Sequence, residues 1–224
     1  MDTLRTRLRA ILGETTAHHW PNTTLNLFLN EAVRQVALDC PVCYAAEWIG
    51  SSTSGTRDYT LPSDFMPPVW SVIYNNGRSD EKELRFLPQD RAASYHGAGN
   101  SEPNNFTYMH KDGVLVLRFM PTPNTTIATN LRVHCGRFPS DMTSDSDSMP
   151  LNIIFQDPVM SFAKMRCWEE WEQWDYAGAS RMEYEQRMMK ARRLWGEPIN
   201  AYPIPLDSPN PALPPSERPG DWGY

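Results

Sequence analysis

The segment that decides the fold covers residues 150–196 and has the sequence PLNIIFQDPVMSFAKMRCWEEWEQWDYAGASRMEYEQRMMKARRLWG. Asp157-Pro158 predicts the start of a helix, because Asp accepts the free N–H groups at an N-cap and Pro at the first helical position needs no donor. Gly178 predicts the end of that helix, and Ser180 opens the capping-box pattern of a second helix. We therefore expect a helical hairpin.

Large aromatic and basic side chains are concentrated in this predicted hairpin. Its tryptophans recur at helical spacing, so they pack either in the core of the chain, which we favour, or against a neighbouring subunit. Acidic residues dominate the first helix and basic residues the second, either for solubility or for a charged contact between subunits. The candidate interface residues of the hairpin are Trp168, Trp171, Trp174, Arg187, Arg192, Arg193 and Trp195.

The N-terminal segment supplies two further amphipathic helices. Residues 2–12 place Leu4 and Leu8 on one face, and a second helix is expected from about residue 22 until just before Pro41. Each of the four helices has an apolar stripe that needs a partner. We therefore predict one helical bundle made from both chain ends, residues 1–42 and 150–196.

Between these helices the apolar residues recur every second position, which is typical of half-buried strands. The predicted strands are residues 45–49, 58–61, 69–74, 83–86, 106–109, 114–120 and 127–138. Asn76-Gly77 and Asp112-Gly113 provide residues that tolerate positive φ in tight hairpins. The fold class is therefore α+β, with an antiparallel β-sandwich-like domain and its acidic linker inserted as residues 43–149.

Residues 197–224 differ in composition from the rest of the chain, because they hold 8 of its 20 prolines. A Pro-rich segment is extended and cannot build its own core, so one interpretation is a solvated tail. Its apolar side chains favour the other interpretation, an extended arm that becomes ordered on another subunit. The candidate contacts of this Pro-rich C-terminal arm are Tyr202, Leu206, Trp222 and Tyr224.

Composition and charge exclude several classes of protein. The net charge of −6 argues against a general nucleic-acid coat, which needs a surplus of Lys and Arg, and suits a surface that DNA slides past. The sequence shows no apolar run near 18 residues and no secretory leader pattern, so we expect a protein made in a cytoplasm and no membrane partner.

Motifs for catalysis, cofactors or metals are absent from the sequence. It contains no G-x-S-x-G, no glycine-rich phosphate loop and no H-E-x-x-H, so we predict no catalytic residues, no cofactor and no enzyme. Cys40-Pro-Val-Cys43 is a lone CxxC pair. A small metal-binding module that combines it with His18 or His19 is kept as an alternative, although no second ligand pair completes a zinc set.

Several short motifs follow one another in a familiar order. They are Arg5-x-Arg7-Leu8-x-x-Ile11-Leu12, Trp20-Pro21, Leu29-Asn30-Glu31-Ala32, Tyr59-x-Leu61-Pro62-x-Asp64-Phe65, Asn76-Gly77, Leu115-x-Leu117-x-x-Met120-Pro121-x-Pro123 and Phe138-Pro139. Together, over residues 1 to about 195, they resemble the head-to-tail adaptor (connector) proteins of tailed bacteriophages. The resemblance is to the tail tubular protein A type of short-tailed phages in particular.

This resemblance implies a structural virion protein with a helical bundle and a β domain. It implies a homododecameric ring below the portal protein that contacts the tail nozzle or tail tube and leaves a channel for genomic DNA, without specific DNA binding. The C-terminal region of such proteins commonly contacts the portal. An alternative within the neck of the virion is a stopper or tail-completion protein, whose plug would be a loop at residues 51–55 or 97–101.

Overall fold

The computed structural model describes residues 1–14, 19–77, 81–93 and 99–195, and these form a mixed α+β fold. The α+β class is thus confirmed, whereas His18 and the arm proposed for residues 197–224 lie outside the described residues. The helices are α1 (Asp2–Leu12), α2 (Asn22–Asp39), α3 (Gln89–Ala93), α4 (Gln156–Glu170) and α5 (Trp174–Trp195), with short 3-10 turns at Pro41–Tyr44 and Ile153–Phe155.

The strands are β1 (Ala45–Ser52), β2 (Asp58–Thr60), β3 (Phe65–Asn75), β4 (Glu81–Glu83), β5 (Arg85–Phe86), β6 (Asn105–Lys111), β7 (Val114–Met120) and β8 (Ile127–Arg137). They form two four-stranded sheets, in the orders β1-β8-β3-β4 and β2-β7-β6-β5. The pairings of β2 with β7, β3 with β4 and β6 with β7 are antiparallel, and β5 pairs with β6 in parallel. The strand predicted at residues 83–86 is therefore divided into two short strands of different sheets.

The described residues group into two units. The helical unit contains residues 1–46, 64–68 and 135–195, and the sheet unit contains residues 47–63 and 69–134. Phe106, Leu117, Phe119, Leu131 and Val133 are among the buried side chains of the sheet unit. Within the described part of the chain, no helix combines the length and the apolar character needed to cross a membrane.

One hydrophobic cluster holds the helical unit together, and it draws on all four long helices. Leu4 and Leu8 are buried on successive turns of α1. The helix is capped by Gly13, whose φ of 76° is a left-handed conformation that glycine adopts at little cost. The completely buried members include Leu8, Leu25, Leu29, Phe155 and Val159. Residues 1–43 and 142–191 therefore contribute to a single core.

The start of α4 differs from the sequence prediction. The Asn152 side chain accepts a hydrogen bond from the Ile154 N–H (3.1 Å) and opens a 3-10 turn, after which α4 begins at Gln156. Asp157 therefore lies inside the helix, where its carboxylate pairs with Arg7 (2.7 Å). The prediction that Asp157 caps the helix was wrong because an earlier Asn had already begun the helical segment.

The break between α4 and α5 also lies elsewhere than predicted. Glu172 adopts a φ of 54°, its N–H donates to Glu169 O (3.0 Å), and the Gln173 N–H donates to Trp168 O (2.9 Å). This is the hydrogen-bond pattern of a Schellman C-cap with Glu in the place that glycine usually takes. The predicted break at Gly178 is wrong, because α5 is helical from Trp174 through Gly178 to Trp195.

Replacement of Gly178 by Ala tests the continuity of α5. A Cβ at this position would meet no atom within 4 Å, and the residue is exposed within the helix. Because Gly in a helix interior costs about 0.5–1 kcal/mol relative to Ala, we expect Gly178→Ala to raise the free energy of unfolding by that amount. Urea denaturation measures the change. A loss of stability would instead indicate that the helix is interrupted at Gly178.

Candidate interaction surfaces

The junction of α4 and α5 carries a cluster of aromatic rings, which we call the aromatic elbow and define as residues 168–176. The Trp171 ring centroid lies 5.1 Å from that of Trp20 and 6.0 Å from that of Trp168. Trp168 in turn contacts Tyr176 at 5.2 Å. Since Trp20 is only 4% exposed and belongs to the hydrophobic cluster, the elbow is anchored to the core through the Trp20–Trp171 pair.

The elbow nevertheless exposes a large part of its aromatic surface. Trp168 is half-buried, whereas Trp171 is 43%, Tyr176 60% and Trp174 67% exposed. The three candidate tryptophans therefore differ in environment: Trp168 and Trp171 pack on the rest of the helical unit, and Trp174 faces solvent in the single chain. A cluster of exposed aromatics of this kind is typical of a contact surface.

Acidic side chains surround these exposed rings. Glu169 is neutralised by Arg166, whose Nη1 donates to its Oε2 (2.6 Å), and this hydrogen bond is the main reason that the pKa of Arg166 is raised. Glu170, Glu172 and Asp175 are exposed, and none of them forms an ion pair within the described residues. The outer side of the elbow therefore combines aromatic surface with unneutralised negative charge.

The other end of α5 forms a second surface, which we call the basic groove. It has a volume of about 530 Å³ and lies between the 3-10 turn before α4 and the last turns of α5. The groove is lined by Ile153, Ile154, Gln156, Asp157, Pro158, Arg187, Lys190, Ala191 and Leu194. Ile153 is 76% and Leu194 64% exposed, so the groove presents apolar side chains to solvent beside two cations.

The four candidates of α5 that follow Trp174 have different surroundings. Arg187 Nη2 pairs with Glu183 (2.5 Å) on the rim of the groove. Arg193 is exposed and Arg192 is half-buried. Trp195 is half-buried, and its ring packs on Phe155 at 5.7 Å, so it belongs to the edge of the core. The candidates Tyr202, Leu206, Trp222 and Tyr224 lie outside the described residues.

The groove is a feature that the sequence did not reveal. Ile153 and Leu194 are far apart in the chain, and only the packing of the 3-10 turn on α5 brings them to one surface. Trp20 was likewise not expected to support the tryptophans of α4. One sequence feature could have indicated the groove. Ile153 and Leu194 are large apolar residues that do not belong to the apolar stripes of α4 and α5, so exposure of their side chains could have been expected.

The cysteines give no support to the metal-binding alternative. All four are buried, and burial raises the pKa of Cys135 and of Cys167 to about 12, so both remain neutral thiols at physiological pH. His19, one proposed partner of Cys40 and Cys43, packs edge-on against Trp171, with ring centroids 5.1 Å apart. Among the residues that the structure describes, no three His, Cys, Asp or Glu side chains are grouped as metal ligands.

Alanine substitutions distinguish the two ends of the tryptophan series. Trp171→Ala should lower the free energy of unfolding by about 2 kcal/mol, roughly half the cost for a fully buried Trp, because its ring is partly exposed. Trp174→Ala should change it by less than about 0.5 kcal/mol, since a surface side chain has little folded-state packing to lose. Denaturant titration of both variants checks the difference. Equal losses would place Trp174 in the core.

Comparison with protein families identifies a relationship over most of the chain. The family model described as SU10 adaptor protein matches residues 1–202 of the chain. It therefore spans the helical unit and the sheet unit, including α4 and α5 with both of the surfaces described above. No curated protein matches the chain.

Proposed function

The chain belongs to the SU10 adaptor protein family, and from this premise we propose that it forms a twelvefold ring that joins the portal protein to the tail nozzle or tail tube. Membership supports a phage head-to-tail adaptor, and it implies a structural protein of the virion neck that is not an enzyme. The single observation that carries the proposal is the family match over residues 1–202. The ring, its partners and the short-tailed, tail tubular protein A-like subtype are the proposed details.

A closed ring suits the exposed surfaces of the helical unit. A contact between two different patches, repeated around a ring, leaves no patch uncovered when the ring closes. Each individual contact can then be weak, so that free subunits stay soluble until the portal templates them. The aromatic elbow and the basic groove support this arrangement, because both expose apolar side chains that a contact between subunits would remove from water.

The ring is proposed to surround the channel through which the genome leaves the particle. The net charge of −6 supports passage without specific binding, because a negatively charged wall repels phosphates. The chain would be made in the host cytoplasm before assembly. Its helices are proposed to form a bundle from both chain ends, and its sheets a β-sandwich-like domain.

The Pro-rich C-terminal arm is proposed to grip a neighbour in the particle. In this proposal the apolar anchors are Tyr202, Leu206, Trp222 and Tyr224, on a segment whose eight prolines favour an extended chain. In this proposal the arm contacts the portal protein or the adjacent adaptor subunit.

No observation favours the stopper alternative. The loop at residues 51–55 is tied to its surroundings: the Thr53 N–H donates to Tyr59 Oη (3.0 Å), and Ser54 Oγ donates to Asn124 O (3.0 Å). The other candidate loop, residues 97–101, falls partly outside the described residues. A loop held in this way is poorly suited to swing across a channel.

Purified portal protein of the same phage tests the proposed assembly. Native mass spectrometry of the mixture should show equal copies of portal and adaptor in one complex, while the adaptor alone stays monomeric at micromolar concentration. Failure to bind the portal would contradict the proposed joint. Stable rings of the adaptor alone at nanomolar concentration would contradict templating by the portal.

A further inference from the structure

The two exposed surfaces of the helical unit are complementary. We propose that the aromatic elbow of one copy docks in the basic groove of the next copy, with Trp174 as the apolar anchor. The proposal rests on the ring assembly proposed above and names the contact between its subunits. It commits to a second copy of this chain as the occupant of the groove.

The apolar part of the contact comes from three exposed side chains. Trp174 is 67% exposed at the first residue of α5, and Ile153 and Leu194 are 76% and 64% exposed on the two sides of the groove. Tryptophan is enriched among the residues that dominate interface energies, where it fills a pocket on the partner. One docking event removes all three side chains from water.

The charges around these side chains are opposite in sign on the two surfaces. Glu172 and Asp175 flank Trp174, and neither forms an ion pair within the described residues. On the groove, Lys190 also forms no such pair in the described part of the chain, while Arg187 is shared between Glu183 and the Asp157 carbonyl. Opposite potentials of this kind fix the register of a contact and exclude wrong partners.

The geometry requires two copies. Trp174 and Leu194 lie near opposite ends of the 22-residue helix α5, which places them about 30 Å apart at 1.5 Å per residue. The elbow therefore cannot reach the groove of its own helix. The contact joins two different patches, which is the heterologous type that closes into a ring.

A competing occupant is the arm, residues 197–224, which follows α5 in the sequence and is also acidic in composition. The arm would cover the groove but leave the elbow exposed. Docking of the elbow covers both surfaces with one contact and uses a pre-formed anchor, since the Trp171–Trp20 pair already fixes the elbow on the core. The observations therefore favour the second copy.

Cross-linking in assembled particles tests the contact. A phage lacking the wild-type gene is complemented with the full-length Gln156→Cys/Gln173→Cys variant, and purified particles are treated with a short bismaleimide. Gln173 is exposed beside Trp174 and Gln156 lines the groove, so this variant keeps the proposed anchor and the apolar walls of the groove. The four native cysteines are buried and should not react. We expect a ladder of multimers on a denaturing gel, rising by one chain per step, and no ladder from either single variant.

The same particle preparation provides a matched control and the results that would contradict the proposal. Leu38 is 49% exposed on α2, and a Leu38→Cys/Gln173→Cys variant should give no ladder. Particles that contain Gln156→Cys/Gln173→Cys at wild-type amounts without a ladder would overturn the contact and leave the adaptor function intact. If a Leu194→Cys/Leu206→Cys variant cross-links and the Gln156→Cys/Gln173→Cys variant does not, the arm occupies the groove. Absence of the wild-type chain from particles would defeat the proposed function itself.

Charge reversal gives a second readout that does not depend on cysteine chemistry. Glu172→Lys and Lys190→Glu should each lower incorporation into particles by about tenfold, because each places like charges together, and the double variant should recover most of the loss. Thermal denaturation of the purified variants checks that the monomers fold. Additive losses in the double variant would contradict the proposed pairing.

Discussion

Glu14→Ala is expected to lower the free energy of unfolding by about 3–5 kcal/mol, because it leaves a buried charge without its partner. The Glu14 carboxylate accepts a hydrogen bond from Arg9 Nη1 (2.5 Å), and the two side chains are only 7% and 10% exposed. The Glu14 carboxylate also accepts a hydrogen bond from the backbone N–H of Trp20 (3.2 Å). The substitution therefore removes both the counter-charge of Arg9 and a support of Trp20.

Urea denaturation of the purified chain measures this loss. Glu170→Ala is the matched control: Glu170 is exposed, so its removal should change stability by less than about 0.5 kcal/mol. Because Trp20 holds Trp171, Glu14→Ala should also loosen the aromatic elbow, visible as a change in tryptophan fluorescence of the folded protein. A loss below about 1 kcal/mol would show that the pair is solvated.

Truncation after Gly196 should have the largest effect on assembly. Trp195 is the last described residue that packs on the hydrophobic cluster of the helical unit. We expect the truncated chain to unfold at the same urea concentration as the full chain. Its incorporation into particles should fall by about a hundredfold, since several apolar anchors worth more than 1 kcal/mol each are lost together. Quantitative mass spectrometry of purified particles measures the incorporation.

A full-length variant separates the anchors from the length of the arm. Replacement of Tyr202, Leu206, Trp222 and Tyr224 by Ser keeps the prolines and should reproduce most of the loss of incorporation. If the truncated chain fails to fold, the segment belongs to the core and the arm is the wrong interpretation. If it folds and incorporates normally, the segment is dispensable for assembly.

Local pattern was sufficient to predict most elements of the fold. The spacing of Leu4 and Leu8 gave α1, and the two-residue alternation gave strands in each predicted region. The hairpin break was misplaced because its cap uses Glu172 in a left-handed conformation, whereas the sequence signal for such a cap is glycine. Gly178, which carried that signal, is instead tolerated inside α5.

The candidate surfaces were harder to predict, because exposure depends on contacts between distant segments. Trp171 and Trp174 are equivalent in the sequence pattern, but only Trp171 meets Trp20, which lies about 150 residues away in the chain. The groove likewise needs Ile153 to meet the end of α5. Composition identified the tryptophans as unusual, and only the packing shows which of them is exposed.

The copy number of the chain in purified phage particles tests the central claim most directly. Quantitative mass spectrometry should find as many copies of this chain as of the portal protein, because a ring stacked on the portal matches it subunit for subunit. Absence of the chain from particles that contain portal and tail would contradict its role as the adaptor between them.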